Sequence, residues 1–139
     1  MSVPSSVAVG DELPGLSIPV TRQRVVQYSG ASTDFNPIHF NDRSAQAIGL
    51  GGVVAHGMWT MGSALRIVTD WVGDPGLIAS YFTRFVHPVQ VPDTDAGTTV
   101  QVAAKVTAVT DDLVTVAIEA TTDGEKVLGA AKVEVRRDR

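Results

Sequence analysis

GMWTMGSALRIVTDWV, residues 57–72, is apolar around most of a helical circumference. Met58, Trp59, Met61, Ala64, Leu65, Ile67, Val68, Trp71 and Val72 leave the polar residues only a narrow stripe: Thr60, Ser63, Arg66 and Asp70, with Thr69 beside it. A helix patterned in this way is expected to be enclosed by the rest of the protein. The material to enclose it lies downstream, where the period changes from helical to two. Val100, Val102, Ala104, Val106 and Ala108 alternate with mostly polar neighbours. So do Val114, Val116, Ile118 and Ala120, and then Val127, Gly129, Ala131, Val133 and Val135. Each run presents one apolar face of a strand. Residues 77–89 hold a further run, with Ile78, Phe82 and Val86 expected on one face. Asp111-Asp112 and Asp123-Gly124 punctuate the strands, and Asp-Gly favours a tight hairpin. The expected architecture is α+β, with one long buried helix against one curved antiparallel sheet whose three long strands form a meander.

Upstream of the helix, Leu16 to Val20 read as a short first strand. Thr21 can cap a helix through Val25, Val26 and Tyr28 by accepting from an unpaired amide. Pro37 forces Asn36 out of helical geometry, so that helix must end before Asn36. Asp42 is expected to cap a short helix through Ala47, which the glycines at 49, 51 and 52 break.

The chain has 139 residues, enough for one domain with a substantial core. Its 11 basic and 15 acidic residues give a net charge of −4 with no basic block, which argues against a nucleic-acid partner. The absence of cysteine excludes disulfides, thiolate metal sites and cysteine nucleophiles. Residues 1–10 carry no positive charge, so a secretory signal is not expected there, and no apolar run approaches a membrane span. A cytoplasmic location is the expectation, as is a single domain over residues 1–139.

Chemistry concentrates in Tyr28-Ser-Gly-Ala-Ser-Thr-Asp34-Phe-Asn36-Pro37-Ile-His39. A carboxylate and an imidazole lie five residues apart across a forced helix break. On a continuous helix they would diverge; across an Asn-Pro bend, which Asn36 can lock through backbone hydrogen bonds, they can converge. The residues alone equally allow Asp34 to be a turn cap and His39 a packing histidine. A second segment, Gly51-Gly-Val-Val-Ala-His56-Gly57-Met58, leads into the long helix. Its N-terminus offers unpaired amides and partial positive charge. Gly57 would let a ligand approach that backbone, or would merely ease packing.

The string Tyr28 through His39, with Ala45 after it, resembles the signature of the MaoC-like, (R)-specific enoyl-thioester hydratases. Ala55-His56-Gly57-Met58 resembles the start of that family's central helix. Trp71-Val-Gly-Asp-Pro-Gly76, Arg84-Phe85 and Pro88-Val89 are similar to the catalytic subunit of the (3R)-hydroxyacyl-acyl-carrier-protein dehydratases. The resemblance implies a hot-dog fold, with the long helix wrapped by the sheet. It also implies a dimer, of two copies or with a related subunit, and an acyl-CoA or acyl-carrier-protein thioester lying in a tunnel between subunits. Asp34 and His39 match the catalytic pair, Asn36 the residue that orients it, and the Gly57 amide the donor that polarises the thioester carbonyl. Where some members place an assisting serine on the helix, this chain has Leu65, with Ser63 nearby. The family's Pro-Gly-Asp-Thr turn is replaced by Val91-Pro92-Asp93-Thr94. No metal or organic cofactor is expected.

His56 reads as structural, bonding the loop that carries Gly57, with substrate contact the other reading. His87 is expected at the surface or at an interface, and three histidines so far apart show no metal-ligand spacing. Arg84 is either a solvated charge or a contact for a phosphate of the thioester carrier. Two rivals share the shape: an acyl thioesterase, and a non-catalytic acyl-chain-binding subunit of a heterodimer. The first would place a carboxylate on or near the helix, where only Asp70 stands, near the far end. The second would be expected to lack the Asp/His pair.

Overall fold

In the computed structural model, which describes residues 2–137, β1 spans Leu16–Val20 and α1 spans Arg22–Ser32. Thr21 caps α1 by accepting from the Arg24 amide at 3.2 Å, as its position predicted. A 3-10 turn, Pro37–His39, and a short helix α2, Asp42–Ala47, follow. The cap of α2 is one residue earlier than expected. Asn41 accepts from the Ser44 amide at 3.0 Å, while Asp42 is drawn elsewhere. Asp42 Oδ1 accepts from the Val53 amide at 2.8 Å and from Arg22 at 2.8 Å, tying the starts of α1 and α2 to the glycine-rich loop. The Val53 amide above all, with Arg22 beside it, holds the Asp42 carboxyl below its ordinary value.

The long helix α3 runs Gly57–Val72 and stops at Gly73, which adopts a left-handed φ of 73° and donates to the Thr69 carbonyl at 2.8 Å. Ala64, Ile67, Val68 and Val72 are buried against the sheet. Thr60, placed by pattern on the polar stripe, is buried as well; its hydroxyl reaches the His56 carbonyl at 3.4 Å, so the helix itself accommodates it. Enclosure is incomplete. Met58 is 60% exposed, and Trp59, Met61 and Leu65 are only partly covered, because one sheet covers one side of a helix.

The sheet is antiparallel throughout, in the order β1-β3-β4-β6-β2. Here β2 is Ile78–Phe85, β3 Thr98–Val109, β4 Leu113–Thr122 and β6 Leu128–Arg136, with a two-residue β5, Glu125–Lys126, against β4. The expected meander is β3-β4-β6, and its hairpin at Asp123-Gly124 takes positive φ at both residues, 50° and 79°. Val100, Val102, Ala104, Val106, Val114, Val116, Ile118, Ala120, Ala131, Val133 and Val135 all turn into the core. Each fully buried valine or isoleucine among them contributes on the order of 1.5–3 kcal/mol.

Three departures from strict alternation share one cause. A register shift after Val106 sends Ala108 outward, and an irregularity at Ala130, with φ 49°, buries Leu128 in place of Gly129. Shifts flanking Tyr81 turn that residue toward α3 and leave Phe82 and Val86 exposed, opposite to expectation. An extra residue inserted in one strand flips every side chain beyond it. Tyr81 donates to the Met61 carbonyl at 2.9 Å, and burial pushes its hydroxyl up to about 12. At the other margin β1 is five residues long and holds Pro19, which has no amide to donate. Among the described residues, no helix is long and apolar enough to cross a membrane.

Candidate active site

The first chemical residue stands at the end of α1. Thr33 closes the helix in left-handed geometry, φ 61°, which swings the chain away from the helix axis. The Ser32 hydroxyl accepts from the Asp34 amide at 3.2 Å, and Asp34 Oδ1 accepts from the Asn36 amide at 3.2 Å. Asn36 in turn accepts from the Ile38 amide at 3.2 Å and so caps the Pro37–His39 turn. Asn36 thus fixes the turn whose backbone carries His39. The other partner of that turn is the strand-like segment 53–55. The Val54 amide donates to the Ile38 carbonyl at 3.1 Å, while Val91 and Ala55 exchange bonds with Val53 and Val89 on its far side.

That clamp presents His39 to Asp34. His39 is 7% exposed, and its Nδ1 lies 2.7 Å from the Val54 carbonyl oxygen. A carbonyl only accepts, so Nδ1 carries the hydrogen and neutral His39 holds its lone pair on Nε2. Nε2 stands 3.8 Å from Asp34 Oδ2, whose side chain is 52% exposed. The separation is too long for a hydrogen bond, but one water oxygen about 2.8 Å from each atom spans it. His39 and Gly57 line one cavity of about 320 Å³, walled by apolar side chains including Val54, Val86 and Leu128. Asp34, Tyr28 and Gly57 line an adjoining one of about 390 Å³. Phe85 borders both, its ring 3.1 Å from where a Cβ on Gly57 would lie. The N-terminus of α3 has no side-chain cap, and Gly57, its first residue, lines both cavities.

His56 is closer to the centre than its position in the sequence suggested. It is 3% exposed and stacks on His39, with centroids 3.6 Å apart and planes 19° from parallel. Its Nε2 lies 3.1 Å from the Asp34 carbonyl oxygen and 3.3 Å from the Ser29 hydroxyl, so Nε2 is the protonated nitrogen. Nδ1 is buried with no partner. Burial pulls His56 below its ordinary value, the bond to Asp34 opposing and the nearby His39 adding to the effect. Spacing in sequence had argued against any metal-ligand grouping, yet Asp34, His39 and His56 bring ligand atoms within 4.8 Å of one another. Two of the four ring nitrogens are bound to backbone carbonyls and His56 Nδ1 is sealed, so only His39 Nε2 and one carboxylate are free to bind. Three protein ligands are usual for a catalytic zinc.

Arg84 is exposed on β2 and lines neither cavity. His87 is exposed at the rim of the His39 cavity, 3.8 Å from Glu125. Sequence reasoning missed the His39–His56 stack and the placing of Phe85. The only trace of the stack was a second histidine directly before the helix glycine.

A sequence profile described as "MaoC like domain" matches residues 6–124. The chain belongs to the MaoC-like family. Two relatives come from Mycobacterium tuberculosis. The 3-oxo-4,17-pregnadiene-20-carboxyl-CoA hydratase beta subunit is 31% identical over 92% of this chain and 96% of its own length. The 3-hydroxyacyl-thioester dehydratase X is 32% identical over 58% of this chain, which covers 28% of that protein. A solved MaoC-like dehydratase superposes with a TM-score of 0.92 at 34% identity over 96% of this chain and 41% of its own. The MaoC-like chain has the hot-dog fold, and its family membership supports an enzyme of the hydratase/dehydratase kind.

Proposed function

We propose that the chain, as one MaoC-like domain over residues 1–139, adds water to trans-2-enoyl thioesters and removes it from (R)-3-hydroxyacyl thioesters. Both CoA and acyl-carrier protein are candidate carriers. The observation that carries the reading is the 3.8 Å gap between Asp34 Oδ2 and His39 Nε2 beside the start of α3. The carboxylate and the bare nitrogen offer two acceptors to the two hydrogens of one water. In hydration one of them takes a proton as the hydroxyl bonds to the β-carbon. The pair then returns a proton to the α-carbon on the same face, and dehydration reverses both steps. Negative charge gathers on the thioester oxygen meanwhile, and in this reading the Gly57 amide at the helix start stabilises it. No step calls for a metal or an organic cofactor.

A partner subunit belongs to this reading. α3 leaves Met58 open, and Phe82, Phe85 and Val86 are exposed on and just after β2, apolar side chains suited to contact with a second hot-dog chain. The partner is either a second copy or a related subunit, as the name of the beta-subunit relative suggests. Sedimentation of the purified chain distinguishes these.

The test is loss of enoyl absorbance with crotonyl-CoA and longer enoyl thioesters, for the chain alone and with any co-purifying partner. Turnover that disappears in Asp34→Asn supports the reading. Release of free thiol in its place, detected with Ellman's reagent, would make the chain a thioesterase. Inactivity of the chain in its native assembly would make it an acyl-binding subunit.

A further inference from the structure

His56 keeps a buried nitrogen with no partner, and an unsatisfied acceptor of that kind is destabilising. An apolar side chain of similar size would fill the same space without that cost, so the imidazole must do something an apolar ring cannot. Its other nitrogen shows what. Nε2 reaches back 22 residues to the Asp34 carbonyl at 3.1 Å, with the Ser29 hydroxyl beside it at 3.3 Å, and so ties the acid-bearing stretch directly to the start of α3. The ring's flat face meanwhile backs His39 at 3.6 Å, and Tyr28 meets it edge-on with centroids 4.8 Å apart.

We infer that His56 is a positioning residue: as a neutral Nε2–H donor it holds the Asp34 backbone so that the carboxylate and His39 face one water. This rests on the Asp34–His39 reading above and assigns His56 no contact with substrate. The remaining bonds around Asp34 are local. They run to Ser32 and Asn36 and fix the shape of the loop without fixing where the loop sits against α3. The same residue is also the N-cap of α3, directly before Gly57, whose amide the proposed function assigns to the thioester oxygen. One side chain thereby sets the acid, the base and the oxygen-binding end in a common frame.

Two substitutions in the full-length protein, in its native assembly, separate the donor from the plate. His56→Phe keeps a ring behind His39 and deletes the donor. His56→Gln keeps an N–H at similar reach and deletes the ring. With crotonyl-CoA, kcat is expected to fall about 100-fold in His56→Phe while KM moves less than about twofold, the signature of misplaced chemistry and not of lost binding. His56→Gln is expected to recover at least about tenfold of that loss. A His56→Phe enzyme within about twofold of native kcat, a loss residing in KM, or a Gln variant no better than Phe would each overturn the inference. Nitrogen-15 NMR of the unsubstituted protein supplies a readout that needs neither turnover nor a folded variant. The expected result at about pH 7.5, above the ordinary histidine value that burial lowers further, is a neutral His56 protonated on Nε2. An Nδ1–H tautomer or an imidazolium would overturn the inference. Native protein that shows this tautomer yet hydrates no thioester would sink the proposed function alone.

Discussion

Val114, Val116, Ile118 and Ala120 are buried at every second position of β4, whereas Thr33 to Pro37 are exposed without a break. The two regions rest on different physics. In the layer formed by α3 and the meander, hydrophobic burial does the work, and each residue's role follows from a period of 3.6 or 2. Between Tyr28 and Gly57, the proposed function rests on the placement of side chains more than on burial. A few hydrogen bonds of long sequence separation aim two side chains at one point. Substitutions in the layer should therefore move stability and spare turnover per folded molecule, while substitutions in the loop should do the reverse.

The largest expected effect lies in the loop. Asp34→Asn, and His39→Asn, which retains a donor for the Val54 carbonyl, should each lower kcat by about 10²–10⁴-fold with little change in melting temperature. An equal loss of folded protein would erase the contrast. Next comes the layer. Ile67→Ala on the buried face of α3 should cost about 2–5 kcal/mol in a denaturant titration, with kcat per folded molecule preserved under stabilising conditions. Gly124→Ala, forced to φ 79° in the meander hairpin, should cost about 1–2 kcal/mol without affecting activity. Tyr81→Phe, which strips the Met61 carbonyl of its donor, should cost about 1 kcal/mol. In the native protein, absorbance titration should place this tyrosine's ionisation at about 12.

The smallest effect tests the border between the regions. His56 is pulled below its ordinary 6.5 by burial, so the unfolded chain takes up its proton first. The stability it contributes is therefore complete above pH 6.5 and is lost as pH falls toward its lowered folded value. Melting temperature should decline over that interval, and His56→Gln, which cannot titrate, should lose that part of the slope.

Most of the layer was legible in the sequence because backbone geometry alone dictates its periods. β1, α1, α3 and the Asp123-Gly124 hairpin follow from caps, breakers and alternation. Phe82, Val86 and Ala108 were misread because a bulge adds one residue without any sign in composition. The members of the candidate site could be named from the sequence, but not how they are wired together. Asp34, Asn36, His39 and Gly57 stand out by chemistry and by resemblance, but the 22-residue reach from His56 to Asp34 depends on how segment 53–55 docks between Ile38 and Val89. No local pattern encodes that docking, which is also why the three-residue grouping of Asp34, His39 and His56 escaped the sequence.

The margins of the sheet have a consequence for how large an assembly can grow. One border, β1, is short and interrupted by Pro19; the other, β2, is eight residues long and free of proline. Two copies that join along β2 use up their receptive borders and turn the proline-bearing ones outward, where further strands find little to grip. Such a particle doubles once and then stops. Replacing Pro19 by a β-branched residue would remove that stop and invite open-ended ribbons.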